Sequence, residues 1–79
     1  MDRLQAMKAY VAVVDSGGFT PAARKLDVSL SVVSRFVTEL EAHLGARLLT
    51  RTTRVVRPTE AGMAYFENCK RILGEIEEA

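Results

Sequence analysis

The stretch FTPAARKLDVSLSVVSRFVTELEAHL, residues 19–44, decides how this chain is read. Two short helical patterns meet in it at a three-residue joint, Asp27-Val28-Ser29. Thr20 followed by Pro21 predicts the start of the first, because a threonine hydroxyl caps free backbone N–H groups and proline fits the first helical position. Ala22, Ala23 and Leu26 give that helix one short buried face. Ser29 is the expected cap of a second helix, in which Val33, Val37, Leu40 and Leu44 recur at helical spacing on one side. Ser31, Ser34, Arg35 and Thr38 fall on the other side or its flank. A short polar face with one arginine, carried by a helix just after a tight turn, is what a reader of the DNA major groove needs.

Upstream, Leu4, Met7, Val11 and Val14 mark a first amphipathic helix, which Gly17-Gly18 ends at no steric cost. Phe19 reads as a core plug between the two. Gly45 stops the third helix in a left-handed cap. Residues 48–56 change character: Leu48-Leu49 and Val55-Val56 flank Thr52-Thr53-Arg54, a two-stranded hairpin with an arginine near its tip. Pro58-Thr59-Glu60 restarts a helix, with Thr59 as its cap and Glu60 favourable against the dipole. In that last helix Gly62, Phe66, Cys69, Leu73 and Ile76 follow a 4-3-4-3 spacing, a heptad seam widened by Met63, Tyr65 and Ile72. The fold expected is mainly α: a three-helix winged helix-turn-helix in residues 1–58, then a long dimerisation helix in 59–79.

A chain of 79 residues is one domain with a marginal core, which burial against a second subunit would help. With 48% hydrophobic and 27% charged residues it belongs with globular chains. The apolar run through Tyr10 to Val14 is far too short to span a bilayer, and helical periodicity begins almost at once, leaving no room for a secretory segment. A single cysteine excludes an internal disulfide framework and suits a cytoplasmic location. Net charge is only +1, but it is unevenly spread: residues 20–58 carry a net +4 and residues 59–79 a net −3. The middle of the chain is suited to a polyanion and the tail is not. Catalysis finds no support, since His43 is the only histidine, the carboxylates are scattered and Gly17-Gly18 ends a helix instead of cradling phosphate. No metal or other cofactor is expected.

Several pieces in this order resemble the N-terminal DNA-binding domain of LysR-type transcriptional regulators. They are Phe19-Thr20-Pro21-Ala22-Ala23, Val28-Ser29 through Val33-Ser34-Arg35, Leu40-Glu41, Leu44-Gly45, Arg47-Leu48-Leu49, Arg51-Thr52 and Thr59-Glu60-Ala61-Gly62. The resemblance covers essentially the whole chain. It implies a winged helix-turn-helix with a linker helix that pairs antiparallel in a homodimer, bound to an interrupted inverted repeat of double-stranded DNA. It also implies a small-molecule effector acting only through a C-terminal domain that lies beyond these residues. Leu30 stands where the family usually has Gln, Ser31 where Pro is frequent, and Phe36 at a commonly polar position.

The expected DNA-contacting residues are Thr20, Ser29, Leu30, Ser31, Ser34, Arg35, Thr38, Arg51 and Arg54. Arg35 is the base-reading candidate, because its fork matches guanine O6 and N7, against the plainer role of phosphate clamp. Ser34 suits phosphate or a base edge, and Ser29 caps first and contacts phosphate second. Thr20 caps a helix start whose N–H groups can hold phosphate. Arg54 at the wing tip suits a narrow minor groove, and Arg51 is structural or phosphate-facing. Arg24 and Lys25 suit the DNA backbone at most; Arg47 and Arg57 suit solvent. Leu30 either packs on a thymine methyl or turns back against the protein. The expected dimer seam is Gly62, Phe66, Cys69, Leu73 and Ile76, with Cys69 a small hydrophobe near the dyad. The competing reading is a winged-helix protein-interaction or dimerisation module that does not bind DNA.

Overall fold

A carboxylate begins the chain's first helix: Asp2 accepts a hydrogen bond from the Gln5 amide at 3.1 Å, opening α1 (Arg3–Ser16). The computed structural model describes residues 1–52 and 55–79. Gly17 closes α1 with φ +79°, a conformation that a side chain would strain. The buried face of α1 is Ala6, Met7, Ala9, Tyr10, Ala12 and Val13, not the expected Leu4–Met7–Val11–Val14 stripe. Leu4, Val11 and Val14 are only half-buried. The physical reason is that α1 packs against three other helices, so its small alanines let neighbours approach and no narrow stripe survives.

The second helix, α2 (Phe19–Leu26), starts one residue before the expected cap. Gly18, in extended backbone, precedes it with no side-chain cap, and Thr20 is the second helical residue. Pro21 is the third, still in the first turn, where a missing N–H costs nothing. Asp27 makes the turn in left-handed backbone at φ 56°, tolerated by its short polar side chain. The Val28 amide donates back to the Ala23 carbonyl at 3.1 Å. Ser29 then caps α3 (Leu30–Leu44) as expected, accepting from the Val32 amide at 3.2 Å. Val33, Val37 and Leu40 are fully buried, Leu44 half-buried, and Gly45 ends the helix at φ +65°.

The wing pairs β1 (Leu49–Arg51) with β2 (Val56–Pro58) antiparallel, in the register Leu49 to Pro58, Thr50 to Arg57 and Arg51 to Val56. Pro58 therefore ends a strand instead of restarting a helix, which an edge strand allows. Thr59 alone starts α4 (Glu60–Glu78): its hydroxyl accepts from the Gly62 amide at 2.9 Å and donates to the Arg47 carbonyl at 2.6 Å. The half-buried Glu41 accepts from the amides of Leu48 (2.8 Å) and Leu49 (3.3 Å), fastening the start of β1 to the last turns of α3.

Tyr10, fully buried, joins these parts. Its hydroxyl donates toward the carbonyl oxygens of Gly62 (2.8 Å) and Leu48 (3.1 Å), and the same Leu48 oxygen accepts from the Thr59 amide at 3.0 Å. Gly62 has to be glycine here, because a methyl group would overlap the Leu48 carbonyl and come within 2.6 Å of the Tyr10 hydroxyl. Tyr65 leans its ring against Tyr10 at 5.9 Å between centroids, and Cys69 one turn later is completely buried. Gly62 and Cys69, expected at a dimer seam, thus pack inside their own protomer. A heptad phase shows that a stripe is buried but not against what, and here α1 covers its first half. An intermolecular disulfide at Cys69 would require this packing to open.

Burial holds the Tyr10 hydroxyl far above the ordinary phenol range, with Cys69, Glu41 and Tyr65 adding to the effect, and it raises Tyr65 and the Cys69 thiol too. The unfolded chain releases these protons near ordinary values of about 9–10 while the folded chain keeps them. Folding stability is therefore full below that range and falls as pH rises through it. Denaturant titrations from pH 7 to 11 should show the decline, and Tyr10→Phe should make it shallower at a cost of about 1 kcal/mol at pH 7. An identical slope in the two proteins would contradict this role for the Tyr10 hydroxyl.

Candidate nucleic-acid interface

Because Val33, Val37 and Leu40 turn α3 inward, the opposite side of that helix is left in solvent. Ser31, Arg35 and Thr38 are exposed there and Ser34 is half-buried between them. Ser29 shares a hydrogen bond with Ser31 at 3.1 Å, so the helix begins with paired hydroxyls at the surface. Leu30, the first residue of α3, is 51% exposed. Phe36 packs half-buried against the core, and the Arg35 guanidinium lies 5.9 Å from its ring centroid, at the outer limit of a cation–π contact.

The wing reaches this surface through Arg51. Its guanidinium carbon sits 4.4 Å above the ring of Phe19, the first residue of α2, a close cation–π stack that ties β1 to the start of the helix-turn-helix. Phe19 is half-buried against the core as expected, and its exposed face is what Arg51 covers. Thr20, next in the chain, is exposed beside it. A shallow groove lined by Thr38, Glu41, Ala42, Arg47 and Arg51 connects the polar face of α3 to the base of the wing. Thr38, Arg47 and Arg51 are thus brought together, a grouping that helical spacing alone does not reveal. A second hollow on the wing is lined by Thr50, Thr52, Val55, Arg57 and Pro58. Arg54, expected near the wing tip, lies outside the described residues.

The ion pairs among the described residues, Lys70–Asp15 at 3.6 Å and Arg71–Glu75 at 3.4 Å, both involve α4. Arg24, Lys25, Arg35, Arg47, Arg51 and Arg57, like Arg3 and Lys8 on α1, are exposed and form none among the described residues. Arg24 and Lys25 stand in the last turn of α2, where the helix dipole favours them. Unpaired cations on two helices and a wing, with small hydroxyls between them, can bind closely spaced anions while letting backbone approach. Two contributors escaped the sequence reading: the Phe19–Arg51 stack, and Glu41, whose carboxylate orients β1. Glu41 carries no local signal, since its partners are backbone amides seven and eight residues away.

No described helix is long and apolar enough to cross a membrane. The surroundings of α3 and the wing match known proteins closely. The model for the lysR family of bacterial regulatory helix-turn-helix proteins matches residues 4–63. An HTH-type transcriptional repressor of Pseudomonas aeruginosa is 50% identical over 78 residues, covering 99% of this chain and 25% of the relative. The HTH-type transcriptional activator AaeR of Escherichia coli strain K12 is 44% identical over 78 residues, with the same coverage. The chain spans about a quarter of the length of these curated relatives. Among solved structures, the BenM DBD in complex with catB site 1 DNA superposes with a TM-score of 0.93 at 33% identity, over 99% of this chain and 86% of the other. The CbnR DBD–DNA complex gives 0.92 at 36% identity, over 99% and 88%. The chain belongs to the lysR family of bacterial regulatory helix-turn-helix proteins, and its fold is the winged helix-turn-helix of that family's DNA-binding domains.

Proposed function

We propose that this chain binds double-stranded DNA sequence-specifically as the DNA-contacting part of a transcriptional regulator. In this reading α3 lies in the major groove and the wing reaches the adjacent minor groove. The observation that carries it is the split of α3 into a buried Val33–Val37–Leu40 face and a solvent-facing Ser31–Ser34–Arg35–Thr38 face, continuous with wing cations that form no ion pair among the described residues. Two solved relatives of nearly the same shape are themselves DNA complexes. Arg35 takes the base-reading role, Ser29, Ser31 and Ser34 the close approach, and Thr20, Thr38 and Arg51 the phosphates. Arg54 remains the minor-groove candidate on sequence grounds.

The protein acts as a homodimer through the outer part of α4, its two copies of α3 addressing the halves of an interrupted inverted repeat. Residues 1–58 form the reading head and residues 59–79 the linker, with the first turns of α4 shared between them. Phe66 packs half-buried against the core, whereas Ile76 is 49% exposed and Leu73 lies half-buried near it. The C-terminal half of the stripe is the part left for a partner. Regulation by a small molecule belongs to a further domain of the kind its longer relatives have room for. The working location is the cytoplasm, on the nucleoid.

Affinity for random duplex should fall by about tenfold or more between about 50 and 200 mM salt, since every neutralised phosphate releases counterions. Arg35→Ala should cost about 1–3 kcal/mol on a selected site and relax preference at one position of each half. Arg51→Ala should weaken all sequences alike and reduce the salt slope by about 1. Binding that ignores salt would overturn the assignment. Equal, sequence-blind losses in both variants would make Arg35 a phosphate clamp.

Dimerisation has a separate test. Ile76→Asp introduces a charge that is harmless at an exposed position and costly when desolvated without a partner. Sedimentation should show a monomer with unchanged helix content; an undisturbed dimer would move the interface elsewhere.

A further inference from the structure

Leu30 is the first residue of α3 and stands 51% exposed between Ser29 and Ser31, whose hydroxyls share a hydrogen bond. Val28, just before the Ser29 cap, is 41% exposed on the same turn. An exposed leucine is ordinary by itself; what distinguishes this one is its place at the start of the helix whose polar face is offered to a partner. Asp27 in left-handed conformation and the Ser29 cap fix the path of the chain, and the inward positions of α3 belong to Val33 and Val37. Leu30 therefore meets whatever α3 is laid against. It has no donor or acceptor for a base edge or a phosphate. The one apolar group that a major groove offers is the C5-methyl of thymine.

We infer that Leu30 is a specificity-determining residue that packs on a thymine methyl, which rests on the DNA-binding reading proposed above. Val28 sits before the cap and outside the helix, so the contact is assigned to Leu30. Leu30 and Arg35 are five residues apart, about 7.5 Å along the helix axis and about 140° around it, so the two side chains meet different parts of the groove. A glutamine at this position would instead recognise adenine through its amide, so Leu30 changes which base is preferred without changing the docking.

The test uses the full 79-residue chain and a duplex half-site selected from a random pool, at one fixed salt concentration. Thymines are replaced by uracil one at a time, which removes only the methyl group. Wild-type affinity should fall by about two- to fourfold at a single thymine, as expected for losing one buried methyl. It should be unchanged at the others. Leu30→Ala, at an exposed position where the fold is not at stake, should bind the thymine and uracil duplexes equally. Leu30→Gln should do the same and move the preference at that position toward adenine. Tight, salt-sensitive binding with no methyl dependence at any thymine would overturn the role of Leu30 while leaving DNA binding intact. Methyl dependence that persists in Leu30→Ala would overturn it equally. Failure of every duplex to bind would overturn both this inference and the reading beneath it.

Discussion

One buried hydroxyl determines how the parts of this domain sit together. Tyr10 extends from the central helix into the junction where α3, the wing and α4 meet, and its hydrogen is held between the carbonyls of Leu48 and Gly62. A phenol with no partner there would cost about 1–3 kcal/mol, so the junction is stable only when both backbone segments are in place. Gly62 makes the contact possible by bringing α4 backbone against the backbone of Leu48, just before β1, a distance that no side chain would permit. Thr59 and Glu41 complete the junction with hydrogen bonds to the same short segment, Arg47 to Leu49. The base of the wing is consequently fixed to the end of α3 by polar contacts from three elements.

That rigidity is what makes the exposed surface useful. Reading a base edge requires side chains placed within a few tenths of an ångström, and such accuracy comes from anchored elements rather than from loops. The helix that presents Ser31, Ser34 and Arg35 is set by two valines and a leucine beneath it and by caps at both ends. Arg51, though exposed, is held by the ring of Phe19 and so keeps a defined place beside the start of α2. Arg35, Arg47, Arg51 and Arg57 on this side form no ion pair among the described residues, while on α4 Arg71 pairs with Glu75.

Most of this architecture is legible in the residues, and the failures have physical causes. Ser29, Gly45 and Thr59 are recognisable because capping is local chemistry, and the inner face of α3 because one flank of that helix is solvated. The core face of α1 is misread because alanines carry little hydrophobic signal, although they decide how closely helices pack. The cap expected at Thr20 lies two residues earlier, because Gly18 precedes α2 with no side chain to signal it. Gly62 and Cys69 carry the right periodicity with the wrong partner, since a stripe does not say whether its cover is the same chain or another. Glu41 and Tyr10 act on backbone atoms far along the sequence, and nothing in their neighbours points to this. The exposure of Leu30 is settled only by the fold, because either orientation satisfies the pattern.

The surface assignment as a whole is open to one direct measurement, amide chemical-shift mapping as a selected duplex is added to the labelled protein. Shifts should concentrate on Phe19 and Thr20, on residues 29–38 and on both strands of the wing, while Met63, Glu67 and Arg71 on the outer side of α4 stay in place. Shifts centred on α4 with α3 unmoved would contradict the placement of α3 in the groove.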